Sequence, residues 1–158
     1  MTVTHVLTRR RVLLMLMSLL LFGGALTQPA FFLGEGAASS RPGWQLLLRG
    51  WNGVPLGYVE WLANPALLVS WATAACAYRR ASMASACCAA ALMLVFLSRR
   101  TLVSAFSASA TPILCRGAGY WLWLGSALLM VLANVRGLKI GWPPASRDRI
   151  ARKVKGSP

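Results

Sequence analysis

Four stretches of this chain, at about 12–28, 61–78, 81–97 and 119–135, contain no Asp, Glu, Lys or Arg. A bilayer core of ~30 Å needs about 20 predominantly apolar residues in a helix, with a working range of roughly 17–25. In hydrocarbon every backbone N–H and C=O must find its partner inside the segment, so these stretches are predicted to be helices and not strands. The first begins at Val12 and fades near Leu26, with a longer alternative extent to Leu33 beyond Pro29; Glu60 stands just outside the second. The fold class that follows is all-α: a polytopic membrane protein with four transmembrane helices in one domain over 12–135. Segments 1–11 and 136–158 are its basic ends.

Composition narrows the alternatives. Apolar residues make up 57% of the chain and charged residues 13%, against about a quarter charged in a soluble domain. That content excludes a disordered chain, and four Cys are too few for a disulfide scaffold. The charge is lopsided, 17 Lys+Arg against 3 Asp+Glu, for a formal +14. Cationic residues collect on the cytoplasmic side of spans. With both termini inside, twelve fall inside (Arg9 to Arg11, Arg79, Arg80, Arg136 and the tail to Lys155) and five outside, at Arg41, Arg49, Arg99, Arg100 and Arg116. Arg99 and Arg100 are the discordant pair. The expected arrangement is multi-pass with both termini cytoplasmic and the basic tail on anionic headgroups. Nucleic acid is not an expected partner, because no stacking aromatic follows Trp142.

The first span has a rival reading. Thr8-Arg9-Arg10-Arg11-Val12-Leu13-Leu14 matches the start of a twin-arginine export signal. The Leu/Met-rich apolar run and the lack of a clear Ala-x-Ala site favour a retained helix.

The outer loop, 29–60, holds the aromatic residues. Trp44, Leu47, Leu48 and Trp51 fall at i, i+3, i+4 and i+7, one face of a short interfacial helix. Gly53 and Pro55 are expected to end it, and a plain loop dipping toward the membrane is the alternative. Gly57-Tyr58-Val59-Glu60-Trp61-Leu62 shares Gly-Tyr-x-x-Trp-Leu with Gly119-Tyr120-Trp121-Leu122-Trp123-Leu124. Trp61 and Trp123 then read as interface-belt residues, with Tyr58 and Tyr120 presenting phenols to headgroups. A duplicated hairpin is one explanation, and chance matching of belt residues is the other. Asn64-Pro65 reads as an N-cap followed by the first helical residue, and alternatively as an amide at the mouth of the bundle. The candidate interaction residues are therefore Trp44, Trp51, Tyr58, Trp61, Asn64, Pro65, Tyr120 and Trp123.

From 81 to 91 only Met83 is not Ala, Ser or Cys. Such a helix packs closely in lipid, within the bundle or against another copy. Cys76, Cys87 and Cys88 fall within spans and read as packing residues; Cys115 lies in the outer loop.

The inventory excludes much chemistry. No carboxylate lies inside a span, His5 is the sole His, and Glu35, Glu60 and Asp148 are scattered. Proton-coupled transport, a multi-His metal site and paired acid/base catalysis are thus unexpected. Neither a phosphate loop nor Cys-x-x-Cys occurs. No catalysis, cofactor or metal is expected.

Gly43-Trp44, Gly50-Trp51 and Trp61-Leu62-Ala63-Asn64-Pro65, followed by a span and a basic turn, resemble small uncharacterised multi-spanning bacterial inner-membrane proteins. The resemblance covers about 43–80 and, loosely, 119–135. It implies an inner-membrane location and no known activity. The predicted function is a non-catalytic accessory protein that meets lipid, membrane-protein partners or its own copies through helix packing and the aromatic outer loop. A membrane immunity protein against a toxin and a small permease or channel component are the alternatives.

Overall fold

The computed structural model describes residues 9–33, 40–104 and 107–135. His5, the polar turn with Glu35, and the cationic tail with Asp148 lie outside the described residues. Five α-helices are described: α1 (Arg9–Thr27), α2 (Gly43–Arg49), α3 (Ala63–Ala75), α4 (Arg79–Leu97) and α5 (Ala118–Val135). Strands β1 (Pro29–Leu33), β2 (Arg41–Pro42), β3 (Thr101–Ser104) and β4 (Ser107–Arg116) form an antiparallel sheet in the order β2-β1-β4-β3.

Three helices, α1, α4 and α5, are long and apolar enough to cross a membrane. Leucines at 13, 16 and 20 on α1 and Leu94, Leu128 and Leu132 on α4 and α5 face outward. An exposed apolar belt of this kind suits lipid. The architecture is compatible with an α-rich membrane protein, with three candidate spans and not four among the described residues.

The stretch at 61–78 is the correction. Only 13 residues of it are α-helical, which gives about 20 Å at 1.5 Å per residue. A 3-10 turn, Val59–Leu62, takes up its start. At its end Ala77 adopts φ 63. Tyr78 N–H donates to Thr73 O (2.8 Å) and Ala77 N–H to Ala74 O (3.1 Å). This bond pair is the Schellman stop, built here on an alanine, so α3 ends and α4 starts at once.

The all-α expectation also fails at the outer segments. Residue 28 precedes Pro29, a position where helical backbone is disfavoured, so α1 stops at Thr27 and 29–33 becomes strand instead of extending the helix. β1 pairs Phe31 with Arg116 and Phe32 with Cys115, and β3 pairs Leu102 with Thr111.

Helix α1 packs along α5, α5 along α4, and α4 along α3. Small residues make this close: Ser82, Ala86, Ala89 and Ala90 of α4 and Ser126 and Ala127 of α5 are buried. Trp71 of α3 closes the ring, meeting Phe22 edge-on at 5.2 Å and donating from Nε1 to Ser18 Oγ (3.0 Å). Ser18 in turn donates to Ser126 O at 2.7 Å. Ser18 and the Trp71 indole, both buried at this crossing, are thereby paired, as burial requires.

The start of α1, the α3–α4 turn and the end of α5 meet at one end. Arg11 Nη2 donates to Asn134 Oδ1 (3.0 Å), and Arg79 donates to Asn134 O from Nε (3.1 Å) and Nη2 (2.6 Å). Asn134 Nδ2 reaches Ser82 Oγ at 2.9 Å, and Ser82 and Ser70 exchange hydroxyl-to-carbonyl bonds at 2.9 Å each way. The sheet and α2 occupy the other end. The four cysteines are free and exposed, so Cys76, Cys87 and Cys88, read as packing residues within spans, lie on the outer surface of the fold and not in its core.

Candidate functional site

The site forms at the sheet end, under a cap. Helix α2 continues into a 3-10 turn, Gly50–Leu56, which runs through both expected terminators and closes at Gly57, φ 84. Gly53 and Pro55 therefore lie inside a helical turn. The cap is held from beneath. Trp61 Nε1 donates to Leu47 O (3.0 Å), and Gly43 N–H donates to Gln28 O (3.1 Å). At Gly50 a side chain would collide with the Trp61 indole, so the cap sits this low only because glycine stands there.

Between cap, sheet and helix ends lies a partly open chamber of about 430 Å3. That volume falls within the ~300–1,000 Å3 usual for small-molecule sites. Its walls come from Phe22 and Leu26 of α1, Phe31 of β1, Leu46 and Leu47 of α2, Phe96 of α4, and Tyr120 and Trp123 of α5. Polar lining groups include Arg41, Gln45, Arg49, Asn52, Glu60, Asn64 and Thr111.

Glu60 is the centre of the polar set. Its residue is 3% exposed, and Arg99 Nε donates to its Oε1 at 2.6 Å. Arg99 also donates from Nη2 to Gly57 O (2.9 Å) and places its guanidinium 5.3 Å from the Tyr58 ring centre. Glu60 Oε2 is buried without a hydrogen-bond partner in the protein. Arg116 is occupied elsewhere: Nη2 donates to Phe96 O, Leu97 O and Arg99 O at 3.1, 2.7 and 2.8 Å. It thus satisfies carbonyls at the C-terminus of α4, where a cation also meets the helix dipole favourably.

Of the sequence-predicted residues, Tyr58, Trp61, Asn64, Tyr120 and Trp123 line the chamber. Trp44 and Trp51 are exposed on the outside of the cap, and Pro65 sits half-buried in the first turn of α3. Several local roles differ from expectation. Asn64 is not an N-cap, since α3 begins one residue earlier without a side-chain cap. Its Nδ2 donates to Trp61 O (3.1 Å) and its Oδ1 accepts from Trp123 Nε1 (3.0 Å). The indoles of Trp61 and Trp123 thus turn inward to bond the protein, and Trp121 is the exposed aromatic of α5. The Tyr120 phenol does not face headgroups. It is fully buried and donates to Met93 O at 2.8 Å. Both Gly-Tyr-x-x-Trp-Leu segments therefore line one chamber, and Trp123 of the second bonds Asn64, two residues past the first.

Sequence reasoning missed Glu60, Arg99, Arg41 and Arg49. The available signal was an acid before one apolar stretch and a base after the next, which an up-down hairpin brings to the same end. Comparison with family models, curated proteins and solved structures finds no match to this chain. The arrangement combines apolar walls with one carboxylate paired to Arg99.

Proposed function

We propose that this protein is a non-catalytic inner-membrane accessory protein that works by contact through its aromatic cap. The observation that carries the reading is the cap's outward face. Trp44, Leu48, Trp51 and Leu56 are half or more exposed there, while the segment beneath is pinned by Trp61. A rigid apolar surface of this kind marks an interaction site. A second contact face, of small residues, runs along the outside of α4 at Ala84, Cys88 and Ala91; such residues let helices of neighbouring subunits approach closely.

The proposed orientation places the Arg11–Arg79–Asn134 end in the cytoplasm and the cap outside, following the cationic bias. The two discordant cations weigh less than their number suggests, because Arg99 is committed to Glu60. Solute passage gains no support: below the chamber Leu67, Met93 and Met130 are fully buried.

A photo-crosslinking residue at position 51, in cells, tests the reading. A discrete adduct, lost when the crosslinker is moved to the buried position 67, is the expected result. Uniform lipid labelling with no protein adduct would refute partner contact.

A further inference from the structure

The end of the bundle opposite the cap concentrates positive charge without an anion to meet it. Arg9, Arg10 and Arg11 open α1, and Arg79 and Arg80 open α4; neither first turn holds an acid, and α4 has no side-chain N-cap bond. A helix N-terminus is itself positive, so cations there add to the dipole's charge instead of balancing it. The two helix starts lie close together, because Arg11 and Arg79 both donate to Asn134. The one ion pair among the described residues, Arg99 with Glu60, is at the other end. Arg79 spends Nε and Nη2 on Asn134 O, and its Nη1 donors have no partner among the described residues. Arg80 is exposed and makes no hydrogen bond or ion pair among them. These two arginines bound one hollow of about 220 Å3 on α4, together with Met83 and Ala84. Below the guanidiniums its floor is a thioether chain and a methyl group, both apolar. Ala84 is exposed, and α4 is long and apolar enough to cross a membrane. The hollow thus joins a cationic rim to an apolar surface that leads along a candidate span.

We infer that this hollow seats an anionic phospholipid. The phosphodiester lies against Arg79 and Arg80, whose planar forks match phosphate oxygens, and an acyl chain follows Met83 and Ala84 along α4. The uncompensated arginines call for an anion, and the apolar floor for a hydrocarbon chain. A free phosphate would leave that floor unused. A zwitterionic head brings the same phosphate with a cation attached, which the arginines repel. The site does not depend on the cap's partner contact, which lies at the other end. A second copy's helix, packed on the small residues of α4, would need the same hollow and is the rival occupant.

Full-length protein, stripped of lipid in an uncharged detergent, is offered equimolar phosphatidylglycerol, phosphatidylcholine and phosphatidylethanolamine, and retained lipid is read by native mass spectrometry. The expected result is a preference for phosphatidylglycerol over either zwitterionic lipid of about tenfold, in keeping with two cations at an anionic head. Arg80→Gln, at an exposed position, cuts that preference to within about threefold. Ala84→Trp fills the hollow, keeps every arginine and brings phosphatidylglycerol retention down to the choline level. The Arg9→Gln, Arg10→Gln protein loses two exposed cations from the same end yet keeps the preference within about twofold, because exposed charges away from the site are screened. A fall there as large as in Arg80→Gln would show diffuse attraction to a basic end and overturn the proposal. Equal retention of the three lipids by the unaltered protein overturns it too, as does unchanged retention in Ala84→Trp. Displacement by soluble glycerophosphoglycerol as readily as by a short-chain phosphatidylglycerol assigns the arginines to a free phosphate and overturns the lipid assignment. A dimer that Ala84→Trp dissociates and excess phosphatidylglycerol does not gives the hollow to a second copy, and likewise overturns it.

Discussion

The two ends of the bundle use polar residues in opposite ways. At the α3–α4 turn, Arg11, Ser70, Arg79, Ser82 and Asn134 interlock at 2.6–3.1 Å. Both polar atoms of the Asn134 side chain are bonded there, and Arg11 Nε is the one buried atom in the described part of that network without a partner. At the sheet end, Glu60 and Arg99 pair, yet the chamber remains and Glu60 Oε2 is left over. The close end is built from serines and alanines that let helices touch; the open end from tryptophans and tyrosines that hold walls apart. A buried acceptor left unmet costs stability, and functional sites are where such costs are retained. One end is closed by helices packed through small residues, and the other encloses the chamber.

Substitutions break or sharpen this contrast. Asn134→Leu should be the most harmful, because it removes the acceptor of Arg11 and the donor to Ser82 together; a loss of about 2 kcal/mol is expected. Unfolding in mixed micelles with rising SDS measures it, and a loss under about 0.5 kcal/mol would show that the network does not close that end. Tyr120→Phe deletes one buried bond, to Met93 O, at a cost of about 1 kcal/mol by the same measurement. Ala77→Gly should move the other way. Glycine enters the left-handed region without a Cβ penalty, so a gain of up to about 1 kcal/mol is expected, and a loss would mean that the Ala77 methyl group packs usefully. Glu60→Gln should cost less than about 1 kcal/mol, because the Arg99 side chain is 38% exposed and keeps both water and Gly57 O. Trp51→Ala, on the outer face, should leave stability within about 0.5 kcal/mol while abolishing crosslinks from neighbouring cap positions.

Much of the helical frame was legible because lipid permits so few solutions. Absence of charge alone located α1, α4 and α5 to within a few residues, and the spacing of Trp44, Leu47, Leu48 and Trp51 located α2. The sheet was not legible. Its strands come from 29–33, 41–42, 101–104 and 107–116, where Ser, Ala and Pro blur any alternation, and only pairings across the sheet, such as Phe31 with Arg116 and Leu102 with Thr111, make them strands. The end of α3 was hidden too, since a left-handed alanine leaves none of the marks that a glycine stop does. Within the site, the aromatic residues were visible by type. Their inward-turned N–H and O–H groups were not, because bonds such as Trp123 to Asn64 or Arg99 to Glu60 join residues far apart in the chain. The Arg99-Arg100 pair, which fitted the orientation rule poorly, was the one trace of that buried charge.

The brevity of α3 has a further effect. With 13 residues beside the 19 of α4, it falls about 9 Å short of its neighbour. A hydrophobic surface that ends early draws headgroups and water inward around it. A bilayer around this protein should therefore be thinnest along the flank where Leu68 and Val69 face out, and such a dimple would give polar molecules their shortest descent toward the bundle.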